Sequence, residues 1–377
     1  MSTGAQCQRQ RVPSVQQPPE SKRPHCAQVS DPNMPPALER PRARGKDAHM
    51  TNFGYTLMTE QAGPRDLVAH ASAAEEGGFD FEVMSDHYFP WLDEQGHSPY
   101  AWSVLGAVTQ VTEQIELMTY VTCPIQRYHP AVVAQKAATV QLLSGGRFTL
   151  GLGAGENLNE HVVATGWDPA NVRHERLLEA IEIISALFDG RYVNYAGAHY
   201  RVDSAKLWDL PETRVPIATA VSGLTGVERL APLSDHMVTT KPDAELCSAW
   251  DKAKGGSSRK IGQVPLSWDA DRDAAVQRAH EQFRWSLGGW KVNAELPGTA
   301  AFDDAAQFVR PEDVAEAIPC GSDIDKVVEA VRPFWEAGFT DIALVQIGGD
   351  KQDAFLQVAE SELLPALREA SAQRPPA

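Results

Sequence analysis

From residue 53 onward, short apolar runs alternate with stretches of helical periodicity, and this alternation most limits what the chain can fold into. Runs at 53–57, 81–85, 115–121, 147–152, 215–221, 236–239, 264–268 and 342–347 have the length and residue types of strands. Between them, residues 65–76 place Leu67, Ala71 and Ala74 at helical spacing and stop at Gly77-Gly78. Residues 101–111 read as a helix, and another begins after Pro130, a residue favoured in a first turn, and runs to Leu143. Residues 174–188 put Leu177, Ile181, Ile184 and Phe188 on one face, with Gly190 just beyond. A last helix is expected over 353–367. Residues 191–201 read as a small inserted hairpin, and 288–311, which lack periodicity, as a long loop or short helices. Strand–helix–strand alternation implies parallel strands joined by crossover helices. About eight such units over this length predict a (β/α)8 TIM barrel with insertion segments, an open doubly wound sheet being the alternative.

Residues 1–50 break the pattern. They are rich in Pro, Gln, Ser and Arg and carry almost no aliphatic run. Such a segment cannot bury enough apolar surface to offset the entropy of ordering, so it reads as a disordered extension before a barrel domain at 51–377. It has no continuous apolar core of a signal peptide; its basic character is a weak transit-peptide trait. An unstructured tail, or an extension upstream of a chain starting at Met50, is the preferred reading. The net charge of −16 opposes binding to phosphate backbones and anionic membranes, and no stretch is long enough to span a bilayer. The cysteines at 7, 26, 123, 247 and 320 form no CxxC pair. They read as reduced thiols of a cytoplasmic protein, and no metal cluster emerges.

In a barrel the chemistry sits on the loops after the strand ends. After the second strand comes Ser85-Asp86-His87-Tyr88-Phe89-Pro90-Trp91. A histidine there, beside an aspartate, can act as a base near neutral pH, and Trp91 can pack on a flat ring or a developing charge. A buried histidine satisfied by a neighbour explains the same residues equally well. Thr119-Tyr120-Val121-Thr122-Cys123-Pro124 follows the third strand, and Arg127 and His129 beyond it read as surface groups. The fourth strand runs into Gly151-Leu152-Gly153-Ala154-Gly155-Glu156-Asn157-Leu158-Asn159-Glu160. These glycines permit close approach to a ligand, but their spacing is not the dinucleotide fingerprint. Glu156 can carry a proton there, or simply favour a helix start. Ala220-Val221-Ser222-Gly223-Leu224-Thr225-Gly226, after the fifth strand, leaves backbone N–H groups free for a phosphate, or forms an ordinary capped turn.

Taken together, in this order and on these strands, the loops resemble the bacterial-luciferase-like oxidoreductases. They are most similar to the F420-dependent branch that includes the glucose-6-phosphate dehydrogenases. The resemblance spans residues 53–367 and rests on Ser85-Asp86-His87 with Pro90-Trp91, on residues 153–160, and on His129-Pro130-Ala131-Val132. It implies a dimeric (β/α)8 barrel with the deazaflavin at the C-terminal face. It places His87 as the base that takes a hydroxyl proton, Trp91 as the stabiliser of the intermediate, and Glu156 as the acid beside the cofactor. Asp86, Cys123, Ala154 and Asn159 match cofactor-contacting positions, and Tyr120–Val121 matches a non-proline cis bond. Ser222, Gly223, Thr225 and Gly226 match the phosphate-binding turn. Cys123 and Ala154 stand where the family has threonine, and Ser222 where it has glycine.

The sugar-phosphate enzymes hold their substrate's phosphate with two lysines and an arginine, which an ungapped match replaces by Asp243, Asp304 and Ala317. Carboxylates near a phosphate repel it, so glucose 6-phosphate is not the expected substrate, although Thr240 is retained and Lys241 lies nearby. The leading expectation is an F420-dependent oxidoreductase acting on a small uncharged or cationic molecule, an alcohol/carbonyl or unsaturated compound. The alternatives are an FMN-dependent monooxygenase of the same superfamily and a non-catalytic barrel that keeps the cofactor pocket.

Overall fold

A computed structural model describes residues 51–163, 166–254 and 258–373. The expected extension over 1–50 lies outside the described residues. Eight parallel strands close a barrel: β1 (Asn52–Leu57), β2 (Phe81–Met84), β3 (Glu116–Thr119), β4 (Phe148–Leu152), β7 (Ile217–Ala220), β8 (His236–Val238), β9 (Lys260–Leu266) and β10 (Asp341–Gln346). The pair β5 (Val193–Ala196) and β6 (Arg201–Ala205) is the inserted antiparallel hairpin. Barrel closure removes the open-sheet alternative.

Strand alternation builds two cores. Phe81, Val83, Met118, Ala218, Val238, Ile261 and Ala343 fill the barrel interior. Residues of the opposite parity, such as Phe53, Tyr55, Leu57, Leu117, Phe148 and Leu150, pack outward against the helices. Contact between β3 and β4 depends on Gly151, where a Cβ would lie 1.8 Å from the Thr119 carbonyl oxygen. Among the crossover helices, α1 (Pro64–Glu76), α2 (Ala101–Val108) and α3 (Pro130–Leu143) fall where periodicity places them. Short α4 (Asn157–Glu160), then α5 (Ala170–Phe188), α6 (Leu224–Leu230), α7 (Ala244–Lys254) and α8 (Arg272–Phe283) follow.

The ninth strand starts at Lys260, four residues before its expected beginning. Its first half is polar because Lys260 pairs with Asp251 and Gln263 donates to Thr56 Oγ1 at 3.1 Å, so a hydrophobic run does not mark it. The final helix begins as expected, at Gln352, but passes through a π turn at Ala359–Leu363 and continues to Ala372. Helix Ile324–Ala337 has no counterpart among the expected elements, although Val327, Val328, Val331 and Trp335 are buried at helical spacing. Residues 284–317 are short helical turns, at Arg284–Gly288, Trp290–Asn293, Thr299–Ala306 and Pro311–Ala317. A second apolar cluster joins Met58, Trp91, Leu92, Leu158, Phe283 and Phe302, which seats this segment on the loops at the C-terminal face.

Candidate active site

Three strand ends converge on His87. The loop after β2 carries it, the loop after β1 brings Glu60, and the loop after β4 brings Glu156. His87 Nδ1 lies 3.1 Å from the Phe89 carbonyl oxygen and 3.4 Å from Glu60 Oε1. A carbonyl only accepts, so Nδ1 carries a proton and Nε2 faces Glu156 Oε1 at 3.5 Å. All three side chains are nearly closed to solvent. Nε2 and the Glu156 carboxyl can therefore share one proton. Asn159 orients this pair: its amide donates to Glu156 Oε1, while its oxygen accepts from the backbone of Tyr88 at 2.7 Å and Phe89 at 3.2 Å.

Glu60 is the anchor behind the histidine. Its carboxylate accepts from Trp91 Nε1 at 3.1 Å, from Ser85 Oγ, and from Thr59 Oγ1 at 3.1 Å. Trp91 packs against His87 with ring centroids 4.8 Å apart. Its other neighbours are Trp285, stacked at 4.0 Å, and Phe302, edge-on at 5.1 Å.

The carboxylate of Asp86 has no exposed surface and serves as a hub. It accepts from Trp102 Nε1 at 3.1 Å, Thr122 Oγ1 at 2.7 Å and Tyr128 OH at 3.0 Å, and Arg127 Nη2 approaches at 3.3 Å. Its side chain thus ties the loops after β2 and β3 together. Arg127 is not the surface group its sequence context implies. It donates to the Asp86 carbonyl at 2.7 Å, and its Nε lies 3.6 Å from Glu160 Oε1. Burial pushes the Glu160 carboxyl up to about 7, against the backbone N–H and guanidinium of Arg127, which pull it down. His129 is exposed, as expected, and caps α3 by accepting from the Ala131 N–H at 3.2 Å.

The Tyr120–Val121 peptide bond is cis. Beside it, Cys123 is buried, and burial raises its thiol well above the usual range. Ala154 is partly buried against the main core, and a Cβ at Gly153 would meet Val121 Cγ2 at 2.6 Å. Ser222, Gly223 and Thr225 lie exposed where β7 passes into α6, with open space around Gly223, and Gly226 closes the turn through its N–H to the Gly223 carbonyl at 2.9 Å. Thr240 and Lys241 are exposed past β8. Asp243 caps α7 by accepting from the Leu246 N–H at 2.9 Å, and Asp304 and Ala317 are exposed.

Sequence reasoning did not reach Glu60, Arg127, Glu160 or Trp285 as members of this assembly. Glu60 had one available signal, its place three residues past the end of a barrel strand. Trp285 had none, because it lies outside every element expected from the sequence, in the turn Arg284–Gly288 that follows α8.

The fold and this constellation define a class: the luciferase-like monooxygenase family model matches residues 49–341, and the chain belongs to that luciferase-like family. Within it, the F420-dependent glucose-6-phosphate dehydrogenase of Amycolatopsis mediterranei (strain U-32) is 33% identical over 333 residues, covering 85% of this chain and 99% of that relative. The F420-dependent hydroxymycolic acid dehydrogenase of Mycobacterium tuberculosis (strain ATCC 25618 / H37Rv) is 33% identical over 350 residues, covering 91% and 93%. Among solved structures, an F420-dependent secondary alcohol dehydrogenase in complex with an F420-acetone adduct matches with a TM-score of 0.77 at 26% identity, over 85% of this chain and 99% of that one.

Proposed function

We propose that this chain is an F420-dependent oxidoreductase that exchanges a hydride between the deazaflavin and a small molecule other than glucose 6-phosphate. The observation that carries this reading is the buried chain Glu60–His87–Glu156 at the barrel mouth. Such a chain can take a proton from a hydroxyl as its carbon loses hydride, and return it in reverse. The relatives above are F420-dependent, which favours F420 over FMN.

The residues present fit that cofactor. Only glycine at 153 keeps a flat wall beside the cis Tyr120–Val121 unit, with Cys123 and Ala154 adjoining it. The exposed turn of Ser222, Gly223, Thr225 and Gly226 offers backbone N–H groups and hydroxyls suited to a phosphate. Asp86 and Asn159 tie together the loops that would hold the ring. When bound, F420 supplies a carbon that accepts or gives a hydride.

His87 is the proposed base. Phe89 and Glu60 fix its tautomer, so Nε2 is the atom that takes the substrate proton. Glu156 receives that proton or delivers one, and Asn159 keeps its oxygen in place. Trp91 presents a ring face to the charge that develops on the imidazole. Glu60 is a positioning residue. Thr240 is the proposed substrate contact. The carboxylates of Asp243 and Asp304, standing where a sugar-phosphate site needs cations, support a substrate without a phosphate.

The test is an equilibrium titration with F420 and with FMN, followed by fluorescence. F420 is expected to bind at least about tenfold more tightly, a difference of about 1.4 kcal/mol. Tight FMN binding without F420 binding overturns the reading.

We also propose a homodimer formed through α2 and α3, where Tyr100, Val132, Leu142 and Leu143 leave large apolar surface exposed. Light scattering is expected to give twice the 41.1 kDa of the chain, and a monomer at micromolar concentration overturns this. The described cysteines, Cys123, Cys247 and Cys320, are free and buried, which supports a reducing, cytoplasmic setting. No described helix is long and apolar enough to cross a membrane, and the acidic net charge of −16 disfavours nucleic acid as a partner.

A further inference from the structure

Lys136 stands in the second turn of α3, outside the groups used so far. Among the described residues its amine meets no carboxylate and rests instead on three aromatic faces. It lies 3.5 Å from the ring centre of Tyr128, 4.9 Å from that of Tyr100 and 5.5 Å from that of Trp102. The side chain is half-buried. A groove of about 250 Å³ between α2 and α3, lined by Trp102, Gly106, Gln135, Thr139 and Leu143, opens beside it and gives the amine a path to water.

Two of these rings carry donors that hold Asp86. Tyr128 OH donates to Asp86 Oδ1 at 3.0 Å, and Trp102 Nε1 donates to Oδ2 at 3.1 Å. A cation over a ring draws electron density from it, so the O–H or N–H at the ring edge becomes a better donor. Cation, ring, donor and carboxylate thus form one connected series. Arg127, the cation in direct reach of Asp86, is shared with Glu160. A buried carboxylate needs compensation, so a second cation acting through the rings stabilises it. Asp86 immediately precedes His87, and whatever fastens its carboxylate fastens the loop that carries the imidazole.

The charged and titratable groups facing the amine are Asp86 from the loop after β2, Arg127 and Tyr128 from the loop after β3, and Tyr100 at the N-terminal end of α2. α2 itself adds the neutral Trp102 indole. Burial pulls the ammonium down to about 8; Asp86 acts against that pull and Arg127 with it. The charge that steadies Asp86 is therefore lost as pH rises through about 8. An arginine in the same place keeps its charge, because a guanidinium does not titrate in this range.

We infer that Lys136 is a positioning residue for the proposed base: through the Tyr128 and Trp102 rings its cation holds Asp86, and with it the loop of His87, in place. This rests on the role proposed above for His87.

The test uses the full chain carrying 13C-labelled histidine, with the His87 signal assigned by its loss in His87→Ala. The signal is followed from about pH 6 to about pH 10, a range that spans the titration of the amine. In the wild-type chain it is expected to move in a step near pH 8. A step near pH 7, where Glu160 titrates, is common to every variant and is set aside. Lys136→Arg should keep the neutral position to the alkaline end and lose the step near 8. Lys136→Met should show at neutral pH the position that the wild type reaches only when alkaline. F420 affinity, read by fluorescence titration, should stay within about threefold in both variants. Superimposable curves for wild type and Lys136→Arg, or a Lys136→Met signal at the wild-type neutral position, overturn the inference. Should Lys136→Met not fold, the comparison of wild type with Lys136→Arg decides alone. Failure of the wild-type chain to bind F420 overturns the hydride-transfer reading and leaves the His87 measurement to stand by itself.

Discussion

Replacing His87 by alanine is expected to lower kcat roughly a hundredfold to ten-thousandfold, the usual range for a general base, while F420 affinity stays within about threefold. The geometry sets both halves of this outcome. Nδ1 is held by Phe89 and Glu60, so the imidazole contributes to chemistry through Nε2 alone. Alanine removes that proton acceptor without disturbing the wall at Val121 and Gly153 or the turn at Ser222–Gly226. Glu156→Gln keeps the bond from Asn159 in a changed form but loses the proton, so a loss of similar order is expected. Glu60→Gln separates positioning from chemistry. It keeps an oxygen for Trp91 or Ser85 but not for every donor, and it should lower kcat more than it raises KM. Steady-state rates of F420 reduction, read beside the fluorescence titration, check all three. Unchanged turnover in both His87→Ala and Glu156→Gln would remove the assigned roles.

The second large effect is on stability. Arg127→Met is expected to destabilise the fold by about 3 kcal/mol, because it leaves the carboxylates of Asp86 and Glu160 buried without their cation. Equilibrium urea denaturation measures it as a fall in midpoint at unchanged slope. Glu160 adds a pH dependence. Its folded carboxyl titrates near 7, above the range of an exposed glutamate, so the folded state binds the proton more tightly than the unfolded chain. The stability it contributes is fully present below about pH 4.5 and is lost as pH rises through about 7, by roughly 3 kcal/mol for such a shift. Glu160→Gln should remove that slope, making the variant more stable relative to the parent at pH 8 than at pH 5. Parallel curves for the two proteins across this range would contradict the buried, proton-holding role of Glu160.

Much of the site was legible because it sits on local patterns. Strands at 53–57, 81–85 and 147–152 are short apolar runs whose ends fix where loops begin, so His87, Trp91 and Glu156 stand out by position. The glycines around Ala154 read as room for a ligand, and at Gly151 and Gly153 the groups that approach are the chain's own Thr119 carbonyl and Val121 side chain. Where local pattern and tertiary demand diverge, legibility fails. β9 begins with Lys260 and hides Gln263 in its middle, because its partners are Asp251 and Thr56 and not a uniform core. Arg127 reads as a surface residue from its own neighbours, yet its guanidinium meets a carboxylate 41 positions earlier in the chain.

The sequence alone determined the barrel, the order of its loops, and the chemical types available at its mouth, since period and turn chemistry act over a few residues. The tertiary structure decided which of those groups meet. Trp91 reaches Glu60 across 31 positions, and Arg284 reaches Glu94 across 190. Such contacts are set by how parallel strands close into a cylinder, a global constraint that no local window of residues records. That closure sets the His87 imidazole between two carboxylates with its Nδ1 held by the Phe89 carbonyl, and it stacks Trp285 on Trp91 beside it.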